Sequence, residues 1–175
     1  MPAESGDFIP IFIINPSLTH VIDSLNILEI IHNYLEDKDI YLVEFKVKPG
    51  NRILVFLDGD QGVNIDDCAG LNRFLESKLD RSVEDFEIEV SSAGADAPIR
   101  LRRQYYRHIG RQFRFTLTDG SQLTGTLLKI VENDLTLSCM ETTQLPSGKT
   151  IRKNASEKVI QFDQIKEARI ELSFK

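Results

Sequence analysis

Residues 98–114, PIRLRRQYYRHIGRQFR, hold six arginines in seventeen positions: Arg100, Arg102, Arg103, Arg107, Arg111 and Arg114. An arginine side chain stays charged at physiological pH, and its planar fork of donors fits the oxygens of a phosphate. Tyr106 lies among them, its aromatic ring suited equally to stacking on a nucleobase and to burial in the fold. Read as a helix over 98–109, at 100° per residue, the stretch gathers Arg100, Arg103 and Arg107 within about 60° of one another and turns Leu101, Tyr105 and Ile109 to a different arc. One arc then presents guanidinium groups while the other packs. In the competing reading the arginines answer the protein's own acids, such as Asp85, Glu87 and Glu89, or are simply solvated. Spacing alone does not separate the two.

Charge bounds what this stretch can do. From Asp96 to Arg114 six arginines face one aspartate, a local charge of +5 in a chain whose formal charge is −6, so the remainder carries −11. A field of that sign repels polyanions at long range, while screening confines charge effects to about 8–10 Å at cellular ionic strength. Any nucleic-acid binding is therefore expected to be limited to one site. Three arginine–phosphate contacts would cost about fortyfold in affinity between 50 and 200 mM salt.

Other groupings that resemble chemistry are incomplete. DGDQGVNIDDC places Asp58, Asp60, Asn64 and Asp66 in the manner of a calcium loop, but Val63 stands where the sixth-position glycine belongs and Ala69 where the final glutamate belongs. LPSGKT ends like a phosphate-binding loop, yet Thr143 replaces its first glycine. His20, His32 and His108 are scattered and form no ligand pair. Ser91 and Ser92 precede Gly94 at a strand end with no base in view. Cys68 and Cys139 sit in apolar patterns and read as buried reduced thiols. No catalytic set, metal site, cofactor or small-molecule substrate is expected.

The elements that position these residues follow from periodicity. Residues 1–18 have no useful pattern and read as a loosely ordered leader. From Thr19, Ile22, Leu25, Leu28, Ile31 and Leu35 line one helix face. YLVEFKVK alternates Tyr41, Val43, Phe45 and Val47 with Leu42, Glu44, Lys46 and Lys48, and RILVFLD follows the turn-forming pair Pro49-Gly50, which predicts a hairpin. Asn64 and Asp67 have the spacing of a helix capping box, with Ile65, Cys68, Leu71, Leu75 and Leu79 as the buried stripe beyond. FEIEVSS points Phe86, Ile88 and Val90 inward. This first half reads α-β-β-α-β, with two helices on one face of a small sheet.

After the arginines come five short strands, RQFRFTLT, SQLTGTLLKIV, DLTLSCMETT, KVIQF and EARIELSF, with a longer polar loop around Pro146-Ser147-Gly148. Closing such strands into a small barrel would remove exposed edges. The expected fold class is α+β: an α/β domain over 19–94, a basic junction over 95–110 and an all-β small barrel over 111–175. At 175 residues and 41 % hydrophobic content the chain can bury such cores. No stretch reaches the roughly 18–20 apolar residues a membrane span needs, FIPIFII being short and broken by Pro10. A cytoplasmic protein without a membrane partner is expected.

In GVNIDDCAGLNRFLESKLD, EIEVSSAGADAPIR, IGRQFRF, LTGTLL and VIQFDQIKEARI the sequence resembles the bacterial ribosome maturation factor RimP family, in order from about Thr19 to Phe174. The matching positions include Gly62, Asp66, Asp67, Gly110, Gly125, Phe162, Ile165, Ala168 and Arg169. At the most specific part, the junction, they are Glu89, Ser91, Ser92, Gly94, Asp96 and Pro98. Ala93 and Ala97 depart from it, where proline and arginine are usual. The resemblance implies an N-terminal α/β domain, a C-terminal SH3-like or Sm-like barrel, and binding to the immature small (30S) ribosomal subunit without turnover of a substrate.

The expected function is thus a monomeric assembly factor assisting ribosomal RNA folding and ribosomal-protein incorporation. Arg100, Arg102, Arg103, Arg107, Arg111 and Arg114 are its candidate ribosome contact. The alternatives are an Sm-like RNA-binding module acting on other RNAs, and an enzyme acting on RNA or nucleotides through the Ser91-Ser92 or Asp66-Asp67 positions.

Overall fold

Helix α1, Ser24–Leu35, buries Ile27, Leu28, Ile31 and Leu35 on one face. The computed structural model describes residues 24–83, 85–144 and 150–171. The leader, Ile22 and the Pro146-Ser147-Gly148 loop lie outside them. Leu25, expected in the buried stripe, is exposed, and Ile27 takes its place. The arc from Ile27 to Leu28 through Ile31 and Leu35 leaves Leu25 about 100° from its centre.

Strands β1 (Ile40–Lys48) and β2 (Arg52–Gly59) form the expected hairpin, with Lys48 opposite Arg52. Gly50 at φ +80° and Asn51 at φ +53° take the left-handed conformations of its turn. The expected alternation of β1 is broken by a bulge: Leu42 pairs with Leu57 and Glu44 with Phe56, so Val43 is the extra residue. Leu42 and Phe45 therefore share the core face, and Tyr41 does not. Helix α2, Ile65–Lys78, starts on a reciprocal cap, in which Asp67 N–H donates to Asn64 Oδ1 and Asn64 N–H donates to Asp67 Oδ2, each at 2.9 Å. Leu71 and Leu75 are fully buried, but Ile65 is 86 % exposed, being about 80° off the arc those leucines define. Strand β3, Glu87–Ser92, returns parallel to β2, giving the order β1-β2-β3.

The chain divides into two compact units, Met1–Ala93 and Gly94–Lys175. The first has eighteen acidic residues against seven Lys and Arg, a charge of −11; the second has nine against fourteen, a charge of +5. In the second unit the short helix α3 (Arg102–Arg107) precedes strands β4 (Gln112–Leu117), β5 (Gln122–Val131), β6 (Asp134–Gln144), β7 (Thr150–Gln161) and β8 (Ile165–Ile170). Strand β7 begins well before the expected KVIQF segment, so much of the apparent polar loop is strand.

The sheet order is β7-β6-β5-β4-β8. The expected closed barrel does not form among the described residues: β7 and β8 stand at opposite edges. The outer edge of β8 is met at one point by the segment before α3, where Ile99 N–H donates to Ala168 O at 2.8 Å. All five strands and α3 contribute to one core built from Tyr105, Phe113, Phe115, Leu127, Leu135, Leu137, Cys139, Ile160 and Ala168. Gly125 lets β5 and β6 approach, since a Cβ there would lie 2.9 Å from Cys139 Sγ and 3.1 Å from Ser138 O.

Candidate nucleic-acid interface

The arginine stretch lies wholly in the C-terminal unit. Leu101 is extended (φ −115°, ψ 143°) and the helix begins only at Arg102. Gln104, 3 % exposed, explains the start: its Oε1 accepts from Arg100 N–H at 2.9 Å and Leu101 N–H at 3.0 Å. The N-cap donor of Leu101, and the Arg100 N–H just before it, are thereby satisfied. At the other end His108 leaves helical geometry and Gly110 has φ +87°. The expected helix over 98–109 is therefore cut to six residues, because Ile99 is bonded to β8 and Gln104 pins the residues that follow. Arg100 is not on a helical face with Arg103 and Arg107, and Ile109 is 45 % exposed instead of packed.

Tyr105 does turn inward. It is 5 % exposed, stacks on Phe113 with centroids 5.6 Å apart and meets Phe162 edge-on at 5.3 Å. Burial pushes its phenol well above the ordinary tyrosine value.

All six arginines are exposed, but their surroundings differ. Arg102 donates to Asn133 Oδ1 at 2.9 Å and its guanidinium lies 4.5 Å from the Phe162 ring centroid. Arg114, on β4, donates from Nε to Glu171 Oε1 at 3.0 Å. These two are held by their own unit. Arg107 Nη2 is 3.2 Å from His108 Nε2. Glu167 has its carboxyl held below the usual range by the hydrogen bond from Arg169 Nε at 2.8 Å, with smaller help from the charges of Arg169, Arg100 and Lys166. Arg111 makes no side-chain hydrogen bond or ion pair among the described residues.

The acids that might have answered the arginines have partners in the N-terminal unit. Glu87 and Glu89 face Arg52 at 3.6 and 2.9 Å, and Asp85 faces Arg81 at 3.3 Å. Glu89, Ser91 and Ser92 all stand on β3, Ser91 half-buried opposite Phe56 and Ser92 exposed opposite Leu57. Gly94, at φ +79°, opens a turn closed by Ala97 N–H donating to Gly94 O at 3.3 Å. The backbone carbonyl of Asp96, not its carboxylate, accepts from Arg169 Nη1 at 3.2 Å. Pro98 is half-buried immediately before Ile99 joins β8. Ala93, where the resemblance makes proline usual, donates its N–H to Leu57 O at 2.9 Å, a bond proline cannot make.

Sequence reasoning missed Gln104 and Asn133 as organisers of the arginines. The only trace of Gln104 was a glutamine at the third helical position; Asn133 was legible as part of the turn Glu132-Asn133-Asp134, with no sign that it meets an arginine. Among the described residues no group of three or more His, Cys, Asp or Glu is placed to hold a metal ion, and no helix is long and apolar enough to cross a membrane.

A family model described as the RimP N-terminal domain matches residues 30–96. The ribosome maturation factor RimP of Porphyromonas gingivalis is 36 % identical over 148 residues, which cover 85 % of this chain and 97 % of that protein. The chain belongs to the RimP family. The ribosome maturation factor RimP of Christiangramia forsetii is 34 % identical over 139 residues, covering 79 % of this chain and 90 % of that protein. The family-model match ends at Asp96, before the arginines, whereas a continuous match over 85 % of the chain necessarily takes in residues 98–114. The RimP likeness therefore extends through both units.

Proposed function

We propose that this protein is a non-catalytic assembly factor that binds the immature small ribosomal subunit in the cytoplasm as a monomer. In this reading Arg100, Arg103, Arg107 and Arg111 contact ribosomal RNA phosphates, while Arg102 and Arg114 chiefly hold the patch in place. The observation that carries it is the separation of charge: a six-arginine stretch belongs to a unit of +5, in a chain whose other unit carries −11. The relatives' name, ribosome maturation factor, supplies the class of partner. The five-stranded unit is taken as the SH3-like type of fold, with its sheet presenting a surface for ribosomal protein.

Such a factor works by differential affinity. It binds an incompletely folded particle more tightly than the finished subunit, favouring the productive arrangement of RNA and protein by mass action until completion lowers its affinity and releases it. No bond need be made or broken.

The test is sedimentation of the protein with isolated small-subunit precursors, mature small subunits and complete ribosomes. Co-migration with precursors, weaker with mature subunits and absent from complete ribosomes, is the expected result. Equal affinity for free oligoribonucleotides and for the particles would instead indicate a general Sm-like RNA-binding module. Full function after Ser91→Ala, Ser92→Ala, Asp66→Ala and Asp67→Ala is expected of a binding protein, and loss through any one without loss of folding would point to catalysis.

A further inference from the structure

Two adjacent tyrosines have opposite fates in α3: Tyr105 is 5 % exposed in the core, and Tyr106 is 55 % exposed. Among the described residues Tyr106 is the only exposed aromatic side chain. Ile109, in the turn that follows the helix, is 45 % exposed. Arg103 lies one turn before Tyr106 on the same helix face, so an exposed ring and a guanidinium side chain are neighbours on one short element.

Resting on the RNA contact proposed above, we infer that Tyr106 is a stacking platform for an unpaired nucleobase of the bound RNA. A guanidinium alone reads phosphate and is indifferent to pairing. An exposed ring recognises the face of a base, which a continuous duplex keeps inside its own stack and a loop or unfolded strand presents. The arginines then supply attachment and Tyr106 supplies preference for RNA whose bases are not yet paired, which is the preference an assembly factor needs if folding of the RNA is to release it.

The experiment compares a single-stranded oligoribonucleotide carrying 2-aminopurine with the same strand annealed to its complement. The chain has no tryptophan, so the probe is excited without protein background. The expected result is tighter binding of the single strand with quenching of the probe, a loss of about 5- to 150-fold in single-strand affinity for Tyr106→Ala, and little change in duplex affinity. Tyr106→Phe is expected to retain both affinity and quenching, and Tyr106→Leu to retain neither. Equal performance of Leu and Phe at this position would overturn stacking, because apolar area alone would then suffice. Unchanged RNA affinity in Tyr106→Ala, with weakened co-sedimentation with small subunits, would overturn it in favour of a protein contact. A combined Arg103→Gln, Arg107→Gln, Arg111→Gln variant separates the two claims. If it binds RNA as the parent does, the phosphate reading fails; if it is impaired while Tyr106→Ala is not, only the stacking platform fails.

Discussion

The side-chain oxygen of Gln104 accepts from the backbone N–H of Arg100 at 2.9 Å and, from the same position, of Leu101 at 3.0 Å. One buried acceptor therefore sets the direction in which the arginine stretch enters α3. Gln104→Ala is expected to destabilise the C-terminal unit by about 1–3 kcal/mol, because it leaves those donors without their acceptor in a partly buried setting. Urea unfolding followed by circular dichroism measures the loss, and a midpoint equal to the parent's would show that water replaces the side chain.

The arginines should separate by salt dependence. Arg111→Gln is expected to reduce the magnitude of the slope of log affinity against log salt by about 0.7–0.9, the share of one phosphate contact. Arg114, held by Glu171, should leave the slope nearly unchanged when replaced by glutamine and cost only about 0–1 kcal/mol of stability, as exposed ion pairs do. Filter-binding titrations on small-subunit RNA between 50 and 200 mM salt distinguish them.

Tyr105 gives the C-terminal unit an alkaline limit. Its phenol is raised by burial above the ordinary value, so the folded state holds the proton more tightly than the unfolded chain. The corresponding stability is fully present below about pH 10, where an unfolded tyrosine titrates, and is lost as pH rises from there toward the folded value. Thermal melting should weaken above about pH 10 in the parent and less steeply in Tyr105→Phe, with little difference between them at pH 7.

Gly125→Ala is expected to destabilise by about 1–3 kcal/mol, since its methyl group would be driven against Cys139 Sγ and Ser138 O. Adding Cys139→Ala should recover part of the loss by removing the sulfur, but not the part due to the carbonyl. Double-mutant melting curves provide the check.

Much of the fold was legible along the chain. The α-β-β-α-β order, the Asn64–Asp67 cap and the all-β character of the second half come from patterns and interactions that close within a few residues, and the inward turn of Tyr105 was legible although its partner Phe162 is 57 positions away. At the edges of a periodic stripe the reading failed. Leu25 and Ile65 are exposed, and Ile27 is buried, because a helix's own period defines an arc while the neighbouring elements decide where the arc's limits fall. The bulge at Val43 similarly belongs to the pairing of β1 with β2. Likewise, the bond from Ile99 N–H to Ala168 O on β8 joins residues far apart in sequence.

By itself the sequence determined that one basic island exists in an acidic chain, and that island's charge depends on composition alone. Which guanidiniums serve as anchors was decided only in three dimensions. Arg102 meets Asn133 across 31 positions and Arg114 meets Glu171 across 57, whereas Arg111, of the same type in the same stretch, has no such partner among the described residues. Neighbouring arginines are chemically identical along the chain. They differ because strand pairing brings an acceptor to one and leaves another facing solvent.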